Sequence, residues 1–415
     1  MHSHLLTLAT AVSGASAVFN GFNFGNKFTD GRIKAEADFE AEFKAMQGLE
    51  GTDGRFNSAR LYTMIQGGTN NQPIAAIPAA IKTKTSLLFG LWASAGQANF
   101  DNEIAALKNT IDQYCGKMDG LVAGISVGSE DLYRITPTGM AHSPDPGAGP
   151  DVLIKYIKSV RDTIKGSCLE KAPIGHVDTS DAYANATNLP LIDALDWVGI
   201  DTYPYYENEK DNSIDNGNQL FQAAVDKVKK AAGSKELWIT ETGWPVSGPT
   251  EHKAVAGTKD AQLYWQKVGC PRFDNTNVWW YTLQDGAPQV PNPSFGVIGS
   301  TLTTKPLYDL SCKGHEKADT KADTKSDTKS DAKSDAKSDT KPSDGASQPN
   351  GSQPTGSQPS TTAPLPANPS GAAGPTGVIP AGTSSAPSTV PTNDSNQLNA
   401  LAGVIAGLVM AAAAL

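Results

Sequence analysis

Residues 121–131 read Leu-Val-Ala-Gly-Ile-Ser-Val-Gly-Ser-Glu-Asp, an apolar run that stops abruptly at a glycine, a serine and two acids. The run Leu121–Val127 has the length of a strand and little polar alternation, as expected where both faces of a strand are covered. Seven further runs share this character: Val18–Phe24, Ser58–Tyr62, Ser86–Trp92, Ala172–Val177, Trp197–Tyr203, Leu237–Thr240 and Val278–Thr282. Helical patterns lie between them, at Phe39–Met46, Glu103–Tyr114, Val152–Ile164 and Leu220–Ala232. Alternation of strand and helix predicts a parallel sheet. Eight strands within roughly 290 residues predict an α/β fold of one closed (β/α)8 TIM barrel rather than an open sheet.

Such barrels carry their chemistry at the C-terminal ends of the strands, and polar residues gather at those ends here. Asn23 sits at the end of the first strand and Asn26 just after it; Arg60 and Tyr62 sit on the second. The fourth ends in Ser129-Glu130-Asp131, and the fifth in His176, Asp178 and Thr179. The sixth ends in Asp201-Thr202-Tyr203-Pro204-Tyr205, the seventh in Glu241-Thr242-Gly243-Trp244-Pro245, and the eighth in Gln284-Asp285. Acids, amides and aromatics at so many strand ends are the composition of a carbohydrate cleft.

Outside the barrel the composition changes. Every Trp, Tyr and Phe lies at or before Tyr308. The chain beyond Cys312 cannot bury enough apolar surface to offset its ordering entropy, so the folded domain is expected over 18–312. A charged Asp/Thr/Lys repeat spacer fills 313–341, and a disordered Ser/Thr/Pro-rich stalk fills 342–393. Residues 1–17 read as a signal peptide, with the small-x-small site Ala15-Ser16-Ala17. Residues 394–415 read as a GPI-attachment propeptide, an apolar tail behind the small polar run Asn393-Asp394-Ser395, with Asn393 as the attachment residue. These signals predict export to the outer face of the plasma membrane and the cell wall, membrane contact through the lipid alone, and release as a further destination. The net charge of -9 and the pI near 5.2, without a dense basic patch, exclude nucleic acid as a partner and suit a neutral polymer. The chain is read as a monomer.

Four cysteines in an exported chain, Cys115, Cys168, Cys270 and Cys312, predict two disulfides with three connectivities open. A Cys270–Cys312 bond would clip the chain's exit to the domain. No CxxC or HExxH occurs and the histidines are scattered, so neither a metal nor another cofactor is expected. Asn185 and Asn350 head N-glycosylation sequons.

Cleaving a glycosidic bond takes a proton for the departing oxygen and a carboxylate to meet positive charge at the anomeric carbon, which two acids supply. Glu130 and Glu241 stand at strand ends that face each other across a barrel mouth. The segments Val127-Gly128-Ser129-Glu130, Gly199-Ile200-Asp201-Thr202-Tyr203-Pro204 and Ile239-Thr240-Glu241-Thr242-Gly243-Trp244-Pro245 resemble glycoside hydrolase family 17, the endo-1,3-β-glucanases, over residues 18 to 312. With the stalk and lipid signal, the chain is similar to the fungal, wall-associated branch. The resemblance implies β-1,3-glucan as substrate, Glu130 as acid/base and Glu241 as nucleophile of a retaining reaction. It departs from the clan at Ser129, where an Asn usually reaches the sugar 2-hydroxyl.

Other residues take supporting roles. Tyr203 would donate to Glu241. Arg60 would either hold Glu241 ionised or pair with a neighbouring carboxylate. Trp244 and one of the adjacent Trp279 and Trp280, taken as Trp280, would stack on sugar faces, and Asp285 would contact substrate.

Three other readings compete. Transfer of the glycosyl group to a second glucan, instead of water, shares the first step. A non-catalytic wall-binding barrel would lack one glutamate, and both are present. Gly124-Ile125-Ser126-Val127-Gly128 matches the GxSxG elbow of serine hydrolases, with Ser126 as nucleophile and His176 or His252 as base. That motif needs a sharp turn at the serine, where the sequence predicts strand.

Overall fold

The structure, a computed structural model, describes residues 18–285 and 287–313. Eight parallel strands close on themselves in chain order: β1 (Asn20–Phe24), β2 (Ser58–Leu61), β3 (Ser86–Leu91), β4 (Val122–Val127), β5 (Ile174–Thr179), β6 (Trp197–Asp201), β7 (Glu236–Glu241) and β8 (Val278–Trp280). The longer helices of the outer layer are α1 (Glu36–Gln47), α2 (Ala76–Thr83), α3 (Gln97–Tyr114), α4 (Pro150–Ile164), α5 (Ile214–Ala232) and α6 (Thr258–Tyr264). The (β/α)8 barrel is thus the fold of the described domain.

Helix α4 shows why these segments are helical. Pro150 opens it, where a missing N–H costs nothing, and Leu153, Tyr156, Ile157, Val160 and Ile164 recur on one buried face. Helix α2 escapes the sequence reading because Ala-Ile-Pro-Ala-Ala-Ile is apolar all round and offers no period to read.

Two apolar clusters divide the interior. The larger lies between strands and helices and includes Phe22, Phe39, Trp265 and Trp280. The smaller draws on strands alone, from Leu88, Ala123, Val177, Trp197, Trp238 and Trp279, and so plugs the barrel itself. Its indoles fit because glycines face them. A Cβ at Gly175 would fall 2.2 Å from the Trp197 ring, and one at Gly124 3.1 Å from Trp238. Trp197 and Trp238 stack 4.0 Å apart, with Trp279 5.8 Å from Trp238.

Disulfides join Cys115 to Cys168 and Cys270 to Cys312, over separations of 53 and 42 residues. Closing loops of that length removes roughly 4 kcal/mol of unfolded-chain entropy each. The proposed leader, spacer, stalk and lipid site, with Asn350 and Asn393, lie outside the described residues.

Candidate active site

The mouth of the barrel is built around Arg60, on β2 and 1% exposed. Its Nη1 donates to Glu241 Oε1 at 2.6 Å and to Asn23 Oδ1 at 2.7 Å, while Nη2 donates to Ser129 Oγ at 2.9 Å. Asp201 Oδ2 stands 3.9 Å from the same guanidinium. One rigid fork therefore ties together the ends of β1, β2, β4, β6 and β7.

Glu241 ends β7 and is buried. Oε1 also accepts from the Tyr62 hydroxyl at 2.8 Å, and Oε2 accepts from Tyr203 at 2.7 Å. Burial, with the Glu241 charge adding, pushes both phenols well above their ordinary range, so they remain donors. Receiving two hydroxyls and a guanidinium is the role of a carboxylate, which only accepts. Arg60 thus does both things open to it in the sequence: it pairs with Glu241 and reaches Asp201.

Glu130 is placed differently. It lies just beyond β4 at φ 58°, a left-handed backbone that a β-carbon adopts at a cost. Its N–H donates to Val177 O at 2.8 Å. Gly128 precedes it at φ 83°, where a Cβ would land 2.0 Å from Asp131 Oδ2, so this turn requires glycine. Burial drives the Glu130 carboxyl well above the carboxylate range; Arg134, 3.6 Å away, opposes, and Asp201 and Glu241 add to the rise. One acid is held as an acceptor and the other is biased toward its proton. That asymmetry suits general-acid and nucleophile roles.

Beneath Glu130 lies a fully buried imidazole. His176 Nδ1 meets the carbonyl of Val127 at 2.7 Å and Nε2 meets Asp178 Oδ2 at 3.1 Å. Both partners accept, so both ring nitrogens carry protons. Burial opposes that charge, but Asp178 and Asp131 outweigh it and the ring sits above its ordinary value. Asp178 Oδ2 also receives Leu132 N at 2.8 Å. The ion pair thus grips the chain on both sides of Glu130.

Several sequence expectations are corrected. Trp244 is buried; its Nε1 donates to Val255 O at 2.9 Å, and its ring packs on Tyr205 and Tyr264. Trp280 pairs in register with outward-facing Phe22 and is walled in by Tyr264, Trp265 and Phe273. Neither has a face for sugar, and Trp279, which does face inward, is sealed in the plug. Asp285 lies on a pocket wall, where its oxygens accept from Ser294 Oγ and Phe295 N. Ser126 is inside β4 with its hydroxyl donating to Gly128 O, and no histidine ring bonds it. The esterase reading fails there. Ser129 accepts from Arg60 and keeps its own proton to donate. Asn185 is exposed, with Oδ1 receiving Thr187 N and Oγ1. Among the described residues, no cluster of three or more His, Cys, Asp or Glu could hold a metal.

Glu103 carries no sequence signal for its role. This α3 residue is buried, its carboxyl taking the Thr63 hydroxyl and, at 2.8 Å, Met64 N, directly after Tyr62. Burial pushes it up to about 8 from 4.5. Because the folded value is the raised one, stability is full below the unfolded value and falls between about pH 4.5 and 8. The fall is on the order of 5 kcal/mol. Urea denaturation across that range should show the decline in the native chain and a flatter curve in Glu103→Gln.

Comparison with known proteins supplies an independent view. Residues 21–297 match the BtgE/BtgC glycoside hydrolase domain. The chain is 56% identical over 310 residues to "Probable glucan endo-1,3-beta-glucosidase eglC" of Aspergillus fumigatus, covering 75% of this chain and 69% of the relative. The protein of the same name in Emericella nidulans is 54% identical over 316 residues, covering 76% and 67%. Among solved structures, the glycoside hydrolase family 17 beta-1,3-glucanosyltransferase from Rhizomucor miehei superposes with a TM-score of 0.57 at 23% identity, over 71% of this chain and 97% of that one. That last likeness is one of fold.

Proposed function

This chain belongs to the BtgE/BtgC glycoside hydrolase family, and from that premise we propose a retaining reaction in which Glu130 is the acid/base and Glu241 the nucleophile. The enzyme is a glucan endo-1,3-β-glucosidase, acting on β-1,3-glucan, as its curated relatives are named. One observation supports the mechanism: the Glu241 oxygens accept from Arg60, Tyr62 and Tyr203, while burial raises the Glu130 carboxyl well above the carboxylate range.

In the first step Glu130 passes its proton to the oxygen of the scissile bond while Glu241 attacks the anomeric carbon. The departing chain leaves with that proton, and the glycosyl ester forms on Glu241. Glu130, now ionised, takes a proton from water, whose oxygen displaces Glu241 and restores both groups. Arg60, Tyr62 and Tyr203 orient the Glu241 carboxylate for the first attack and receive it as leaving group in the second. Ser129, fixed by Arg60, is offered to the sugar 2-hydroxyl.

Assignment to glycoside hydrolase family 17 is supported by the strand-end motifs and the shared barrel. The sequence signals at 1–17 and 394–415 support export and a lipid anchor at Asn393, with wall β-glucan as the natural substrate and Asn185 as a surface glycan site.

The test is incubation with β-1,3-, β-1,4- and β-1,6-glucans, with products sized and the newly formed anomer followed by proton NMR. Internal cleavage of the first, with the β-anomer appearing before mutarotation, is expected. The α-anomer appearing first would overturn retention. Longer chains at high oligosaccharide concentration would mark transfer in place of hydrolysis.

A further inference from the structure

A retaining reaction moves a negative charge across the site. Glu241 carries it at the start; once the ester has formed Glu241 is neutral, and the charge stands on Glu130 instead. The first position is supplied with donors from Arg60, Tyr62 and Tyr203. The second needs a donor of its own, because acids at three neighbouring strand ends press Glu130 toward its proton: Asp178 on β5, Asp201 on β6 and Glu241 on β7. Tyr133, in the turn after Glu130, and Tyr281, after β8, are phenols that burial keeps protonated. Arg60 is already committed to Glu241, Asn23 and Ser129.

Arg134 fits that position. It closes the short helix Asp131–Arg134 that follows Glu130 and is 1% exposed. Nη1 donates to the Ser129 carbonyl and, at 3.4 Å, to Ser94 Oγ, while Nε donates to Ser143 Oγ at 3.1 Å. The guanidinium carbon lies 4.6 Å from the centre of the Trp92 ring. Stacking of that kind uses the flat face of the group and leaves its in-plane N–H bonds able to donate. Nη2 carries two of those N–H bonds, is shielded from water and has no hydrogen-bond partner. A buried donor in that state is costly. Oε2 of Glu130 stands 3.6 Å from it, too far for a hydrogen bond while Glu130 keeps its proton, and a closure of under ~1 Å would make one. Asp131 also acts on Arg134, but His176 is its stronger partner.

We propose that Arg134 is a positioning residue for the second half of the reaction: its Nη2 closes onto Glu130 Oε2 once the proton has gone to the departing sugar, and holds Glu130 as the carboxylate that then takes a proton from water. The inference rests on the acid/base and nucleophile assignments above. It adds a second cation to the site, so that each of the two places where the charge resides has its own guanidinium.

The test uses an aryl glycoside of a β-1,3-gluco-oligosaccharide whose leaving group needs no proton, so that breakdown of the ester limits turnover. Arg134→Met should lower kcat by roughly 10- to 100-fold, with KM falling in parallel because the ester forms normally and persists. Mass spectrometry should then find the glycosylated protein accumulating. Azide attacks without giving up a proton and should restore kcat. On glucan, the basic limb of kcat/KM should move upward by about one pH unit or more, since an acid that loses a neighbouring cation keeps its proton longer. Arg134→Lys keeps the charge without the fork, and should recover part of kcat with the limb near its native place. Loss of kcat/KM on the aryl glycoside with an unmoved limb and no rescue by azide would mark a merely structural role and overturn the proposal. Should Arg134→Met not fold, the native enzyme trapped with a 2-deoxy-2-fluoro glycoside decides in its place. Its crystal structure should bring Nη2 within about 3.2 Å of Glu130 Oε2, and an unclosed gap overturns the proposal. Failure of that glycoside to label Glu241 would instead overturn the retaining mechanism itself.

Discussion

Azide is expected to rescue both Glu241→Ala and Glu130→Ala on an aryl β-glucoside with a good leaving group, and to give sugar azides of opposite configuration. Removing the Glu241 carboxylate leaves a hole beneath the anomeric carbon, within the ring of Arg60, Tyr62 and Tyr203 that once held it. A small anion entering that hole displaces the aglycone once, giving the α-azide. Glu130→Ala still forms the ester on Glu241 when the leaving group needs no proton, and azide then attacks from the other face, giving the β-azide. Without azide, each variant should lose about 10³-fold or more on polysaccharide, where the leaving group does need protonation. Azide products of the same configuration, or full activity in either variant, would sink the assignment.

The second large effect is expected at Arg60. Arg60→Met leaves Glu241 and Asp201 buried together without their shared cation. Burial and the Glu241 charge already push the Asp201 carboxyl well above its ordinary value, with Arg60 opposing. Without the guanidinium, a proton must enter the pair to relieve the repulsion. When it sits on Glu241 the nucleophile is lost, so kcat/KM at neutral pH should fall by about 10³-fold, a loss of roughly 4 kcal/mol. Because the harm is an added proton, activity should recover as pH rises and the acidic limb of the profile should move upward. Stripping one partner from buried pairs should also cost about 3–5 kcal/mol of stability, visible in urea denaturation. Arg60→Lys restores the charge without the fork that reaches Asn23, Ser129 and Glu241 together, and should recover only part of each loss. An unmoved acidic limb in Arg60→Met would refute the electrostatic role.

The legibility of the fold and site in the sequence depends on what each signal encodes. Strand-length apolar runs bounded by polar residues define the barrel, and Glu130 and Glu241 stand out because a buried strand ends there in an acid. Which face a residue takes is not encoded so openly. Trp279 and Trp280 are neighbours with equal claims, and only the pairing of Trp280 with Phe22 sends it outward. Trp244 comes soon after a strand-end acid, a position that suits a cleft residue, yet the chain folds it under Tyr205. Glu42 and Glu103 escape the sequence reading for the opposite reason. Charged residues on amphipathic helices ordinarily face water, and nothing local marks these two as turned inward. Their partners, Lys34 on one side and Thr63 with Met64 on the other, belong to loops whose course is set by the whole barrel.

Strand β8 contributes only three residues and meets β7 through a single register pair, Ile239 with Val278, the thinnest backbone join in the ring. There the indoles of Trp238 and Trp279 lean across the gap, and the Trp279 N–H reaches on to the Ser58 hydroxyl of β2. Circular closure therefore leans on side chains at its narrowest seam. Those same rings absorb light, so coupling among their transitions should make the integrity of the seam an optical signal, one that fades when the ring springs open even while its helices persist.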